Sequence, residues 1–124
     1  MERKKILLVD DSKTAIFMEQ TLLKKSGIYD LVTASDGAEG VSKATAELPD
    51  LILMDMVMPH MTGLEAARAL RQREDTKHIP IIMVTTRGEA ENVAAGRDSG
   101  CNDYVTKPID GPVLLAKIRT LLGG

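Results

Sequence analysis

The chain has 124 residues, the size of one domain with one core, and its 16 basic and 18 acidic side chains leave a net charge of -2. That balance excludes a global positive field able to hold nucleic acid or an anionic membrane, and the first aliphatic run, Ile6 to Val9, is far too short for a secretory or membrane-spanning segment. The single cysteine, Cys101, cannot form an internal disulfide; it reads as a small half-buried side chain in a reducing, cytoplasmic setting.

In chain order, Ile6 to Val9 predicts a first strand that ends on Asp10 and Asp11, and a helix-period stripe follows at Ala15, Met18 and Leu22. Leu31 to Ala34 predicts strand two, after which Asp36 is placed to cap a second helix carrying Ala38, Val41 and Leu48. Leu51 to Met54 predicts strand three, ending on Asp55, and Thr62 with Glu65 has capping-box spacing ahead of the stripe Leu64, Ala67 and Leu70. Ile81 to Val84 predicts strand four, ending on Thr85 and Thr86. The segment Glu89 to Asp98 is the weakest helix, because its apolar residues cluster at Val93 to Ala95 and Gly96 costs about 1 kcal/mol relative to alanine; it reads as mobile or partner-facing. Tyr104 to Thr106 is a weaker fifth strand running into Lys107, and Asp110 ahead of Pro112 suits the start of a last helix with Leu114, Ile118 and Leu121.

Strand and helix alternate five times, and three of the strands lack polar alternation, as strands covered on both faces do. The expectation is one α/β domain over residues 1–124, a doubly wound five-stranded parallel sheet in a (βα)5 three-layer sandwich. Its order 2-1-3-4-5 is taken over from flavodoxin-like sheets rather than derived.

One stretch poses a chemical question. In DLILMDMVMPHMTG, Asp50 to Gly63, an apolar run ends on a carboxylate, Asp55, which is expensive to bury without compensation. Ligands of open α/β sheets bind beyond the carboxyl ends of strands, where this chain offers Asp10, Asp11, Asp55, Thr85 and Lys107. Three crowded carboxylates raise one another's pKa unless a cation intervenes, and hard oxygen ligands suit Mg²⁺ better than zinc. A carboxylate held between Mg²⁺ and the Lys107 ammonium is a nucleophile toward phosphorus, with Thr85 able to donate to a phosphoryl oxygen. Met54, Met56 and Met58 read as packing residues, and His60 and His78 as solvated loop residues.

The set VDD at Val9 to Asp11, LMDMVMP at Leu53 to Pro59, Thr85, and YVTKP at Tyr104 to Pro108 resembles the receiver domain of two-component response regulators, of the stand-alone, chemotaxis-regulator-like type, from about Lys4 to Leu122. The resemblance implies that Asp55 accepts a phosphoryl group from the phosphohistidine of a histidine kinase or phosphotransfer protein. It implies that Asp11, Asp55 and the Val57 carbonyl ligate Mg²⁺ directly, with Asp10 acting largely through water. Lys107 would pair with the phosphoryl group, beside a cis peptide to Pro108. Thr85 and Tyr104 match the coupled switch positions, whose movement remodels the face made by the fourth helix, fifth strand and fifth helix for a downstream protein target. Three departures stand out. Val57 is apolar where many relatives orient water, which points to slow hydrolysis of the aspartyl phosphate; Arg87 stands two past Thr85; and Thr86 replaces the usual alanine or glycine.

Three other readings compete. A Mg²⁺-dependent phosphatase of the haloacid dehalogenase type would place a second acid two residues after the nucleophile, where Val57 stands. A pseudo-receiver would have lost reactive positions that are all present here. A flavin or nucleotide carrier would need a glycine-rich phosphate loop after strand one. No basic recognition segment suggests direct binding of nucleic acid.

Overall fold

The computed structural model describes residues 3–86 and 100–123. Their elements run β1 (Lys4–Val9), α1 (Lys13–Lys24), β2 (Tyr29–Ala34), α2 (Gly37–Glu47), β3 (Leu51–Asp55), α3 (Gly63–Arg71), β4 (Ile81–Thr86), β5 (Asp103–Lys107) and α4 (Gly111–Leu122). The five strands pair in parallel in the order β2-β1-β3-β4-β5, as expected. The fourth predicted helix, Glu89 to Asp98, lies outside the described residues.

Strand periodicity explains why the central strands read as unbroken apolar runs. Leu7, Val9, Ile52, Met54, Ile81 and Met83 pack on one face of the sheet with Ala44, Ala66 and Leu70 of α2 and α3. Ile6, Leu8, Leu51, Leu53, Ile82 and Val84 pack on the other with Leu23, Leu114 and Ile118 of α1 and α4. Successive residues thus enter opposite cores, and neither face is left for polar side chains.

The helix starts are local and legible. Asp36 accepts from the Glu39 N–H at the head of α2, and Thr62 with Glu65 closes a full capping box on α3. Asp110 accepts from Val113 N–H, with proline in the first turn of α4. Ser12 caps α1, its side chain accepting from the Ala15 N–H. α2 ends with Leu48 in the left-handed region, at φ 47°.

Two helix stripes are phased differently from expectation. On α1 Leu22 packs against the core as expected and Ala15 is half-buried, but the fully buried residues are Glu19 and Leu23, and Met18 is 61% exposed. Those of α2 are Gly37, Gly40 and Ala44, while Ala38 and Leu48 face out. Gly40 is drawn in because α2 lies directly on Val9: a Cβ there would meet both Val9 methyls at 3.0 Å. The stripes on α3 and α4 hold, with Ala67, Leu70, Leu114 and Ile118 buried.

Candidate functional site

Strand register assembles the site. Val9 pairs with Met54, Asp55 with Val84, Thr85 with Thr106 and Thr86 with Lys107, so β1, β3, β4 and β5 finish level at one edge of the sheet. β1 and β3 are neighbours although α1, β2 and α2 separate them in the chain, and the crevice at this reversal of winding is where such sheets bind ligands.

Asp10, Asp11 and Asp55 each present a carboxylate oxygen within 4.8 Å of the others. Asp10 is 1% exposed and Asp55 7%, while Asp11 lies at the surface. Asp10 Oδ1 accepts the Ser12 backbone N–H at 2.9 Å, but its buried Oδ2 has no hydrogen-bond partner among the described residues. The Lys107 ammonium stands 3.5 Å from that Oδ2 and 3.5 Å from Asp55 Oδ1. These are ion-pair distances, longer than the roughly 2.8 Å of a charged hydrogen bond, so Lys107 bridges two buried acids without closing on either.

The charges feel one another. Burial first, and then the Asp10 carboxylate, push the Asp55 carboxyl from 3.8 up to about 6, with Lys107 opposing them. For Lys107 burial pulls downward, but Asp55 and then Asp10 outweigh it and the ammonium is held above its ordinary range. The crevice therefore favours an added cation over an added anion while the carboxylates are unpaired. Its donors are carboxylate oxygens without a histidine or thiolate, a set that suits a hard divalent ion.

Thr85 lies on β4, and Tyr104 lies on β5, the strand that ends at Lys107. Thr85 is buried one step beyond Val84, the register partner of Asp55, and Tyr104 packs against the α2/α3-side core. The Lys117 ammonium of α4 lies 6.0 Å from the Tyr104 ring centroid and pairs with Asp103 at 3.1 Å. Val57 is 59% exposed in the loop after Asp55. The peptide between Lys107 and Pro108 is cis. Met54, Met56 and Met58 are all buried packing residues, His60 and His78 are exposed, and Cys101 is half-buried.

One group escaped sequence reasoning. Glu19 is 3% exposed, and burial followed by the Asp10 carboxylate raises its carboxyl from 4.5 to about 8. An acid in the middle of an amphipathic helix ordinarily reads as solvated, and the stripe phased on Met18 placed it outward.

The response regulator receiver domain model matches residues 6–119. Protein PilH of Pseudomonas aeruginosa is 40% identical over 97% of this chain and 98% of its own length. The transcriptional regulatory protein PhoP of Bacillus subtilis is also 40% identical over 96% of this chain, which spans 48% of that longer protein. Among solved structures, the receiver domain of the sensor histidine kinase PA1611 of Pseudomonas aeruginosa superposes with a TM-score of 0.90 at 29% identity, covering 98% of this chain and 99% of that one; it was solved with a magnesium ion in its active-site cleft. An acid-lined crevice bridged by a lysine, on a sheet of this order, defines a phosphoacceptor module. The chain belongs to the response regulator receiver domain family and is a receiver of two-component signal transduction. No helix among the described residues is long and apolar enough to cross a membrane.

Proposed function

We propose that residues 1–124 act as one receiver domain in which Asp55 is the phosphoacceptor, Lys107 its positive partner, and Asp10, Asp11, Asp55 and the Val57 carbonyl the holders of a Mg²⁺ ion. The observation that carries this is the buried Asp10 Oδ2: among the described residues it lacks a hydrogen-bond partner, and it shares the crevice with two further carboxylates and the Lys107 ammonium at 3.5 Å. A buried carboxylate oxygen left unmatched is costly, and an oxygen-coordinated cation satisfies it. When bound, Mg²⁺ supplies charge neutralisation on the phosphoryl oxygens and on the crowded acids.

Asp55 attacks phosphorus with a carboxylate oxygen. The O–P bond forms as the P–N bond of a kinase or phosphotransfer-protein phosphohistidine breaks, and the departing imidazole takes up a proton. Lys107 turns its ammonium to a phosphoryl oxygen, and Thr85 donates its hydroxyl to another. Movement of Thr85 and Tyr104 then couples about two added negative charges to the face bearing β5 and α4, which meets the downstream protein target.

Incubation with acetyl phosphate, followed by intact mass, tests the chemistry. One Mg²⁺-dependent phosphoryl adduct, stable to acid and labile to base, is expected in the wild type and not in Asp55→Asn. An adduct that survives in Asp55→Asn, or forms equally in chelator, overturns the assignment.

Val57 governs the lifetime of that adduct in this reading. Its exposed isopropyl group beside Asp55 cannot orient an attacking water, so Val57→Asn is expected to speed loss of the phosphoryl group by roughly tenfold or more. An unchanged dephosphorylation rate, followed by mass after donor removal, would exclude that role.

A further inference from the structure

Glu19 is not used by the phosphoryl chemistry. It lines the inner wall of a cleft of about 480 Å³ between α1 and the turn after β5, the remainder of whose lining includes Ala15, Met18, Leu22, Pro108 and Ile109. Its Oε1 is buried without a hydrogen-bond partner among the described residues. Lys107 forms part of the same lining, and its ammonium stands 3.5 Å from both Asp10 and Asp55.

We infer that this cleft is a second ligand site, which takes a primary ammonium or guanidinium group on a short unbranched alkyl stem and seats that cation on the Glu19 carboxyl. The volume lies within the range of small-ligand sites, and the apolar walls match a stem rather than a polar body. A cation gives Glu19 Oε1 the hydrogen bond it lacks and favours release of the carboxyl proton to solvent, whereas a neutral apolar guest leaves the oxygen unpaired. Charge points the same way: among the described residues Asp10, Asp11 and Asp55 outnumber the Lys107 ammonium beside them, which attracts a cation and repels a carboxylate guest. The site stands whether or not Asp55 is the phosphoacceptor.

Amide chemical shifts of the full chain, free of divalent ions so that the acidic crevice keeps its charge, test it with n-butylammonium, n-butylguanidinium, n-butanol and butyrate as probes. Saturable shifts clustered at Ala15, Met18, Leu22 and Ile109 are expected for the two cations, and affinity at least about tenfold weaker in Glu19→Leu and Glu19→Gln. Glu19→Leu replaces a buried acid by an apolar group, and Glu19→Gln keeps the side chain's shape. A lysine blocked as its N-acetyl methylamide presents the same head on a polypeptide, so its affinity relative to n-butylammonium separates a partner's side chain from a free amine. Equal binding of n-butanol, shifts centred elsewhere, unchanged affinity in both variants, or no saturable shift with either cation would each overturn the assignment.

Discussion

Gly63→Ala is expected to destabilise the fold by about 3 kcal/mol or more and to take the acidic crevice with it. Gly63 opens α3, and its N–H donates to the Met56 carbonyl at 2.9 Å. A Cβ there would fall on the Asp55 carbonyl oxygen, and would also lie 3.0 Å from both the Asp55 carbonyl carbon and the Met56 Cα. All three atoms are backbone, so no side-chain rotation relieves the overlap. Either the head of α3 or the end of β3 must move, and the end of β3 carries Asp55. Gly27→Ala is the control: it has nothing within 4 Å, and its φ of +71° costs only the left-handed penalty of about 1–2 kcal/mol. Urea unfolding of the two variants, with phosphoryl incorporation measured on the same samples, checks the contrast. Equal losses of stability would mean that the approach of α3 to β3 does not constrain position 63.

Glu19→Leu is expected to have the opposite sign, and to show it most at high pH. The Glu19 carboxyl is raised from 4.5 to about 8 in the folded protein, chiefly by burial and secondly by Asp10. Between those two values the unfolded chain has released a proton that the folded chain still holds. Rising pH therefore favours unfolding by about 1.4 kcal/mol for each unit in that window, and the loss levels off above the folded value. Leucine removes the titration. Without divalent ions, the stability of Glu19→Leu relative to wild type is expected to grow by roughly 4 kcal/mol between about pH 5 and pH 8. Asp55, also raised, titrates in both proteins and largely cancels in the difference. Denaturant melts across that range decide the matter: parallel stability–pH curves for the two proteins would show that Glu19 ionises normally in the fold.

Much of the scaffold is written locally. The caps at Asp36, Thr62 and Asp110 lie where their short side chains can accept from N–H groups a few residues ahead, an interaction contained within one helical turn. The unbroken apolar runs of β1, β3 and β4 reflect two covered faces, and that is legible without knowing what covers them. The candidate acids and Lys107 were legible for a related reason, because each ends a strand and such sheets gather strand ends at one edge. Their convergence depended on the strand order, which came by likeness and not from the residues.

Helix phase is where local reading failed. Ala15, Met18 and Leu22 form an acceptable stripe, yet the fold rotates α1 so that Glu19 and Leu23 enter the core and Met18 faces water. In α2 the same kind of shift buries Gly40 against Val9. A lone acid three residues after an isoleucine carries no signal of burial in itself.

The amino-acid sequence by itself determined the alternation of strands and helices, the helix starts and the identity of the reactive side chains, since these follow from interactions within a few residues. Tertiary structure alone decided which side of α1 meets the sheet, how closely Gly63 approaches Asp55, and that Glu19 lies buried beside the acids of the crevice. Periodicity defines a helix face but not its rotation about its own axis. That angle is set by the shape of the surface on which the helix comes to rest.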